Sequence, residues 1–533
     1  MARLYPFRAL RYDPACVNMT DVVTQPYDKI TSDMQERYYN SSPYNLIRIV
    51  LGKHLPGDDD HNNVYTRAAQ TLKEWRAEGI LKEESEPALY GYSQTYKNPN
   101  KNEEVLVRRG FIALGQLYDY ADRVVFRHEQ TFPKHKSDRL ALFKATRAYC
   151  EQIYMLYSDP TFTAEKAIFE SGSAPELEIV DEYDVVHRVW KLTDPALIQR
   201  VLSAMDDKWL LIADGHHRYE TSTAYMHERA AELGISPQTL SSRPATTPGA
   251  PHLASEMWDK TTPNLSSRPE PSQRPGGPSF AVSSQRVGSG TTPNLSSRPE
   301  ARTGAPGERS SLVGVESAAA ERPAVAAASA EGASLPTPAF PEAAMMMTFV
   351  NMDAPGITIL PTHRVLHGLK NFTGHSFAKA AEQYFTVEDL PKTADAAQLL
   401  AHLNAAVGVA FIAATRDDNF LLTPRADKVA PLLANLSPRQ AALDVTQLHK
   451  VAIEKLLGLD EETVRAGNNI RYYREAGESI ARVASGKADV AFLIKPVTLD
   501  QMKDISLNLE VMPQKSTDFY PKLLSGLAMY TLD

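Results

Sequence analysis

Cysteine is nearly missing from this chain: 533 residues carry two, Cys16 and Cys150. Two thiols cannot build a disulfide framework or a cysteine-rich zinc site, so both are read as ordinary thiols. Long hydrophobic runs are missing too. No eighteen consecutive residues are apolar, and the opening MARLYPFRALRYDP lacks the apolar segment of a secretory leader, so no membrane span is expected and a cytoplasmic location follows by default. Excess positive charge is lacking. The formal net charge is −8, which argues against nucleic acid as a partner, because affinity for a phosphate backbone rides on clustered Lys and Arg. Two catalytic loops are incomplete: Lys515-Ser516-Thr517 ends like a Walker loop without the glycines ahead of it, and His128-Glu129 lacks the second histidine of a zinc-protease helix.

What is present is a 43% hydrophobic composition, enough for a real core, on a chain long enough for two or three ordinary domains. One stretch departs from it. Residues 236–344 hold 16 of the 36 prolines together with long Ser, Gly and Ala tracts, and the decapeptide TTPNLSSRPE occurs twice, at 261–270 and 291–300. Such composition buries too little apolar surface to offset chain entropy, so this segment is expected to be a disordered insertion that loops out of one continuous unit. Its nine basic residues balance its nine acidic ones, which leaves the net charge to the remainder.

The most informative stretch is Leu210-Leu211-Ile212-Ala213-Asp214-Gly215-His216-His217-Arg218-Tyr219-Glu220-Thr221. Its apolar run predicts a buried strand, Gly215 permits a tight turn, and apolar positions at Tyr219, Thr223, Met226, Ala230 and Leu233 have helical spacing. A turn that opens a helix offers unpaired N–H groups and the positive end of the helix dipole, which suits an anion. Asp214, His216, His217 and Arg218 add a carboxylate, two imidazoles and a guanidinium, able to hold a phosphate or a metal-bound phosphate. The plain alternative is that Asp214 caps the helix and the imidazoles make structural hydrogen bonds.

The Ala-Asp-Gly-His-His-Arg-Tyr-Glu block resembles that of the uncharacterised prokaryotic family known as domain of unknown function 1015. MARLYPFRA at 1–9, Pro26-Tyr27-Asp28, Ser42-Pro43-Tyr44-Asn45, His128-Glu129, Pro361-Thr362-His363-Arg364 and Met512-Pro513-Gln514-Lys515-Ser516-Thr517 carry the same resemblance, in order along the chain. It implies a continuous core at 1–235 plus 345–533, of one or two subdomains, and it implies no activity. Gly215-His216-His217-Arg218 is also similar to the Gly-x-His-Arg phosphate-binding turn of the ParB and sulfiredoxin superfamily, which includes a nucleotide-dependent free-serine kinase. That resemblance implies phosphate contacts at His217 and Arg218. Sulfiredoxin has its reactive cysteine where this chain has His216, so thiol chemistry is not implied.

The rest of the chain alternates elements in an α+β pattern, mixed sheets with flanking helices, and the resemblance of the 215–218 turn implies a ParB/sulfiredoxin-like phosphate-binding core within it. Strands are expected at 46–51, 88–96, 104–117, 152–157, 181–191, 345–352, 357–360, 407–413 and 489–494. Helices are expected at 63–78, 136–151, 196–205, 219–234, 377–384, 394–406, 424–434 and 445–457. Asn98-Pro99-Asn100-Lys101-Asn102 signals a hairpin between the second and third strands, and Pro361 is expected to end its strand and leave His363-Arg364 on an exposed edge or turn.

The function expected is transfer of a phosphoryl group to or from a small molecule, since such transfer needs mainly positioning and charge neutralisation. Asp214, His216 and Glu129 are the catalytic candidates. Gly215, His217, Arg218, Lys515, Ser516 and Thr517 are the phosphate-binding candidates, and Tyr27, Asp28, His128, His363 and Arg364 are expected around the substrate. Arg218 is expected to reach an anion outside the core. Mg2+, with Asp214 as ligand, and a nucleotide or pyrophosphate donor are the expected cofactors; the free-serine kinase resemblance implies a small hydroxy amino acid such as serine as acceptor. Two alternatives stand beside this: a metal-dependent phosphatase or nuclease with Asp214, His216 and His217 as ligands, and a nucleotide sensor without turnover.

Overall fold

Met345-Met346-Met347-Thr348-Phe349-Val350 is apolar without alternation because both faces of its strand are covered. It belongs to strand Ala344–Asn351 in a computed structural model that describes residues 2–99, 104–131, 133–170, 172–236 and 334–533. Met345, Met347 and Phe349 enter one apolar cluster, and Met346 and Val350 enter another on the opposite face. Each such side chain, fully buried, contributes roughly 1.5–3 kcal/mol. Strand Leu210–Asp214 is built the same way, with Leu210 and Ile212 on one face and Leu211 and Ala213 on the other.

Among the described residues, nine strands form one mixed sheet. Its order runs Val125–Phe126, Leu210–Asp214, Ile153–Tyr157, Ala344–Asn351, Val105–Gln116, Leu89–Lys97, Val186–Leu192 and Leu177–Val180, with Leu4–Tyr5 added beside Val105–Gln116. The pairs 125–126 with 210–214 and 153–157 with 344–351 are parallel; the other pairs are antiparallel. Helices Pro195–Met205 and His216–Glu232 pack apolar residues, among them Ile198, Val201, Tyr219 and Met226, against one face. A second, antiparallel sheet has the order Phe385–Leu390, Asn419–Pro424, Phe411–Thr415, Val490–Ile494, His363–Leu366 and Ile470–Tyr473. Phe385, Phe411 and Phe492 of this sheet share one continuous apolar cluster with Tyr90 and Ile112 of the first. The α+β architecture with mixed sheets and flanking helices is the one expected.

Three expectations need correction. Residues 46–51 do not form a strand: Ile47–Val50 is a short helix, with the Asn45 side chain accepting from the Ile47 N–H at 2.9 Å. A short, mostly apolar run fits either element by periodicity, and the turn closed by the Asn45 side chain starts a helix here. His363 and Arg364 lie within an interior strand, His363–Leu366, and not on an exposed edge. The insertion expected to end at Ala344 yields to the fold earlier, because Phe340 and Ala343 join the core and the buried carboxylate of Glu342 pairs with Arg147 and, at 3.0 Å, with Arg229. The segment's expected disorder over 237–333, its decapeptide repeat and hairpin residues 100–102 lie outside the described residues. Among the described residues no helix is long and apolar enough to cross a membrane.

Candidate functional site

Strand Leu210–Asp214 delivers its last residue out of register. Its pairing with Ile153–Tyr157 shifts between Ile212 and Asp214, a bulge of the kind that re-aims a side chain. Gly215 follows at φ 97°, and a Cβ there would lie 3.1 Å from the Arg218 guanidinium. Only glycine meets both demands. Helix His216–Glu232 then begins with no side-chain cap at Gly215, and His216, His217 and Arg218 of its first turn line a pocket together with Gly215.

Three other segments complete that pocket. Tyr27, Asp28 and Lys29 come from a single helical turn, Glu129 and Gln130 follow strand Val125–Phe126, Gln514, Lys515 and Thr517 come from the loop before strand Asp518–Tyr520, and Lys522 lies just after that strand. Met512 holds this loop to the 128–129 segment, its N–H donating to the His128 carbonyl at 2.8 Å. Glu129 Oε1 accepts from the N–H groups of Ser516 at 3.0 Å and Thr517 at 3.2 Å.

Beneath the pocket runs an ion-pair ladder. Lys522 Nζ lies 2.8 Å from Asp214 Oδ1 and 3.0 Å from Asp518 Oδ1, Lys29 Nζ is 3.0 Å from the same Asp518 oxygen, and Arg474 Nε donates to Asp518 Oδ2 at 2.8 Å. Burial would raise the Asp518 pKa, but Lys522, Lys29 and Arg474 together hold it well below the ordinary aspartate value. Asp214 follows the same logic, with burial outweighed by Lys522 and Arg218. Lys515, which burial would discharge, is kept charged by Asp28 and Glu129. Asp28 also stays ionised: burial and Asp214 push its pKa up, and Lys515, Lys29 and Arg218 bring it down.

The candidate residues divide into those in the pocket and those behind it. Asp28, Glu129, Asp214, Gly215, His216, His217, Lys515 and Thr517 line it, as does Tyr27, whose ring carries the Arg139 guanidinium at 4.1 Å. Arg218 borders the pocket yet is 3% exposed, clamped by Asp214 at 2.9 Å and facing Glu151 at 3.7 Å. It is therefore held in the core and does not extend from it, contrary to expectation. His128 is fully buried; its Nε2 shares a hydrogen bond with Thr517 Oγ1 at 2.8 Å, and its ring packs edge-on against His216 at 4.5 Å. Burial depresses the pKa of both imidazoles, keeping them neutral. Ser516 is buried and spends its N–H on Glu129 and its hydroxyl on the Pro513 carbonyl.

His363 and Arg364 do not reach the pocket. The Ile494 N–H donates to His363 Nδ1 at 3.3 Å, while the buried Arg364 guanidinium donates to the carbonyls of Gln514 at 3.4 Å and Lys515 at 3.0 Å and to His449 at 3.2 Å. Arg364 thus braces the Lys515 loop from behind. Lys29 and Lys522 were not singled out from the sequence. Each is a lone lysine beside a turn, and only the juxtaposition with Asp518 and Asp214 distinguishes them. Among the described residues no three His, Cys, Asp or Glu side chains are grouped to hold a metal ion, so Asp214, His216 and His217 do not form the ligand set that a metal-dependent hydrolase would require.

These features define a mixed-sheet α+β protein with a glycine turn, an uncapped helix start and a lysine-rich pocket at the end of a strand second from the sheet's edge. The chain belongs to the family described as "Protein of unknown function (DUF1015)", whose model matches residues 4–245 and 316–446. No curated protein matches it. Among solved structures it is similar to a free serine kinase in complex with AMP, at 9% identity and a TM-score of 0.28 over 77% of this chain and 86% of that one. A variant of a free serine kinase in complex with ADP gives 9% identity and a TM-score of 0.29, covering 77% of this chain and 87% of that one. A conserved hypothetical protein from Pyrococcus furiosus gives 9% identity and a TM-score of 0.29, covering 78% and 92%. Likenesses at this level carry no chemistry across.

Proposed function

We propose that this protein binds a phosphate-bearing small molecule at the 215–218 turn and transfers a phosphoryl group between it and a hydroxyl acceptor. The observation that carries the reading is the pairing, in one pocket, of an uncapped helix start and Lys515 with an ionised carboxylate, Asp28, whose nearest cation among the described residues is Lys515 at 3.8 Å. The helix N–H groups and Lys515 neutralise phosphate charge, and Lys522, already engaged by two carboxylates, fixes the floor. Glu129 caps the 516–517 loop and His216 Nε2 accepts the His128 N–H, so the role of base falls to Asp28. In the transfer, the acceptor oxygen forms a bond to phosphorus, the bond from phosphorus to the donor oxygen breaks, and the acceptor proton passes to Asp28. Asp214 does not fit the role of Mg2+ ligand, because one of its oxygens accepts from Lys522 and the other from Arg218. The donor assigned is a nucleotide or pyrophosphate. The acceptor assigned is a small hydroxy amino acid, serine first, on the resemblance of the 215–218 turn to the superfamily that contains a free-serine kinase.

The test is titration calorimetry with pyrophosphate and ADP, with and without Mg2+, followed by phosphorus NMR of mixtures of each candidate donor with serine. Lys515→Met is expected to weaken pyrophosphate binding about tenfold or more, the loss of one charge-assisted hydrogen bond. Asp28→Asn is expected to retain binding and lose phosphoserine formation. Absence of binding by the wild type to every phosphate compound overturns the reading.

A further inference from the structure

A second concavity lies on the first sheet and shares no residue with the pocket above. Strand register places Arg188, Ser93 and Arg109 side by side on three neighbouring strands: Ser93 partners Arg109 on one side and Arg188 on the other. Adjacent strands are about 4.8 Å apart, so the two arginines flank the serine on one face of the sheet. The covering helix Thr163–Phe169 ends at this row, and Gly91 lets it approach. A Cβ on Gly91 would lie 2.9 Å from Ile168 Cγ2 and 3.3 Å from Trp190 Cβ. The result is a cleft of about 250 Å3 walled by Phe169 and Trp190, whose rings meet edge to face at 5.2 Å. Trp190 is fixed there by donating its Nε1–H to the Ser173 carbonyl at 2.9 Å.

The polar groups of the cleft are unevenly satisfied. Arg188 spends Nε on Glu178 at 2.6 Å and Nη1 on Thr95 at 3.2 Å. Arg109 is exposed, lies 5.3 Å over the Phe169 ring, and has no carboxylate in ion-pair reach among the described residues. Ser93 is 4% exposed and lines the cleft between the two arginines.

We propose that this cleft is a second ligand site, for a small aromatic anion: a planar ring bearing a carboxylate or phosphate. The acid group meets Arg109 and the Ser93 hydroxyl, with the free edge of Arg188 beyond, and the ring packs against Phe169 and Trp190. A bare inorganic anion leaves the aromatic walls wet, and a neutral ring leaves Arg109 without a counter-charge, so both parts of the ligand are required. The site stands independently of phosphoryl transfer at the 215–218 turn.

The test uses the full chain and benzoate as probe, read by saturation-transfer NMR and titration, with benzyl alcohol and inorganic phosphate as controls. Benzoate is expected to bind at least tenfold more tightly than either control. Arg109→Gln is expected to weaken benzoate about tenfold with no change in the thermal melt, because Arg109 is exposed and makes no ion pair to lose. Ser93→Val, which fills the hydroxyl's place with a methyl, is expected to weaken it as well, and Lys515→Met to leave it unchanged. No benzoate binding by the wild type, binding indifferent to Arg109→Gln, or binding abolished by Lys515→Met each overturns the assignment, the last by placing the probe in the first pocket.

Discussion

Arg218→Ala separates a guanidinium that serves the fold from one that serves only a ligand. The side chain is 3% exposed and lies between Asp214 at 2.9 Å and Glu151 at 3.7 Å. Removing one partner of a buried ion pair costs about 3–5 kcal/mol, since the remaining charge is left without compensation. Here the survivors retain other partners. Asp214 keeps Lys522 at 2.8 Å, and Glu151 keeps Arg139 at 3.6 Å and the Tyr27 N–H at 2.9 Å. The low end therefore applies, about 3 kcal/mol. Arg218→Lys restores the charge but not the planar fork, and is expected to recover roughly half of that. Urea unfolding followed by circular dichroism and tryptophan fluorescence gives the difference, provided the two transitions coincide. If Arg218→Ala unfolds within about 0.5 kcal/mol of the wild type, the range of an ordinary surface substitution, while pyrophosphate affinity falls tenfold, the clamp reasoning is refuted.

Other outcomes follow from the same geometry. Gly215→Ala imposes a left-handed conformation and a 3.1 Å approach to Arg218, and is expected to cost at least about 1–2 kcal/mol by urea unfolding and to abolish pyrophosphate binding. Asp518 has a depressed pKa, so the stability it contributes is present above its ordinary value of 3.8 and is lost as pH falls below it; Asp518→Asn is expected to lower stability at pH 7 and flatten the acid limb of an unfolding profile. His363 is buried and its pKa is pushed down to about 4, so stability is expected to fall as pH drops from 6.5 towards 4, and His363→Gln to remove that slope. A deletion of 238–331 with a short linker is expected to melt near the wild type, whereas one carried through Ala344 removes Phe340 and Glu342 and is expected to melt lower.

The parts of the fold legible in the sequence are those in which burial leaves a one-dimensional mark. Leu210–Asp214 and Ala344–Asn351 are covered on both faces and read as unbroken apolar runs. Phe385–Leu390 and Asn419–Pro424 were missed, as was Ile470–Tyr473, in which the last three residues of the strand retain some exposure. The glycine turn was legible because positive φ and a close approach both demand glycine. Arg218 was misread because a guanidinium aimed outwards and one clamped inwards look alike until Asp214 and Glu151 are seen beside it. Arg364 was misread because Pro361 announces a turn, while nothing local reveals that Ile470–Tyr473 and Val490–Ile494 will flank the residues after it. The lysine floor was invisible for a related reason: Lys522 and Asp214 are 308 positions apart.

The place of Ala344–Asn351 in the first sheet also sets a timetable for synthesis. Ile153–Tyr157 and Val105–Gln116 are made early, and each leaves a bonding edge open for a strand that begins only at Ala344, roughly 190 and 230 residues later respectively. At translation speeds of about 5–20 residues per second, those edges stay unpaired for roughly 10–45 seconds on every ribosome. The nascent chain therefore passes through a window of aggregation risk to which residues 237–333 contribute about half, and shortening that segment is expected to narrow the window.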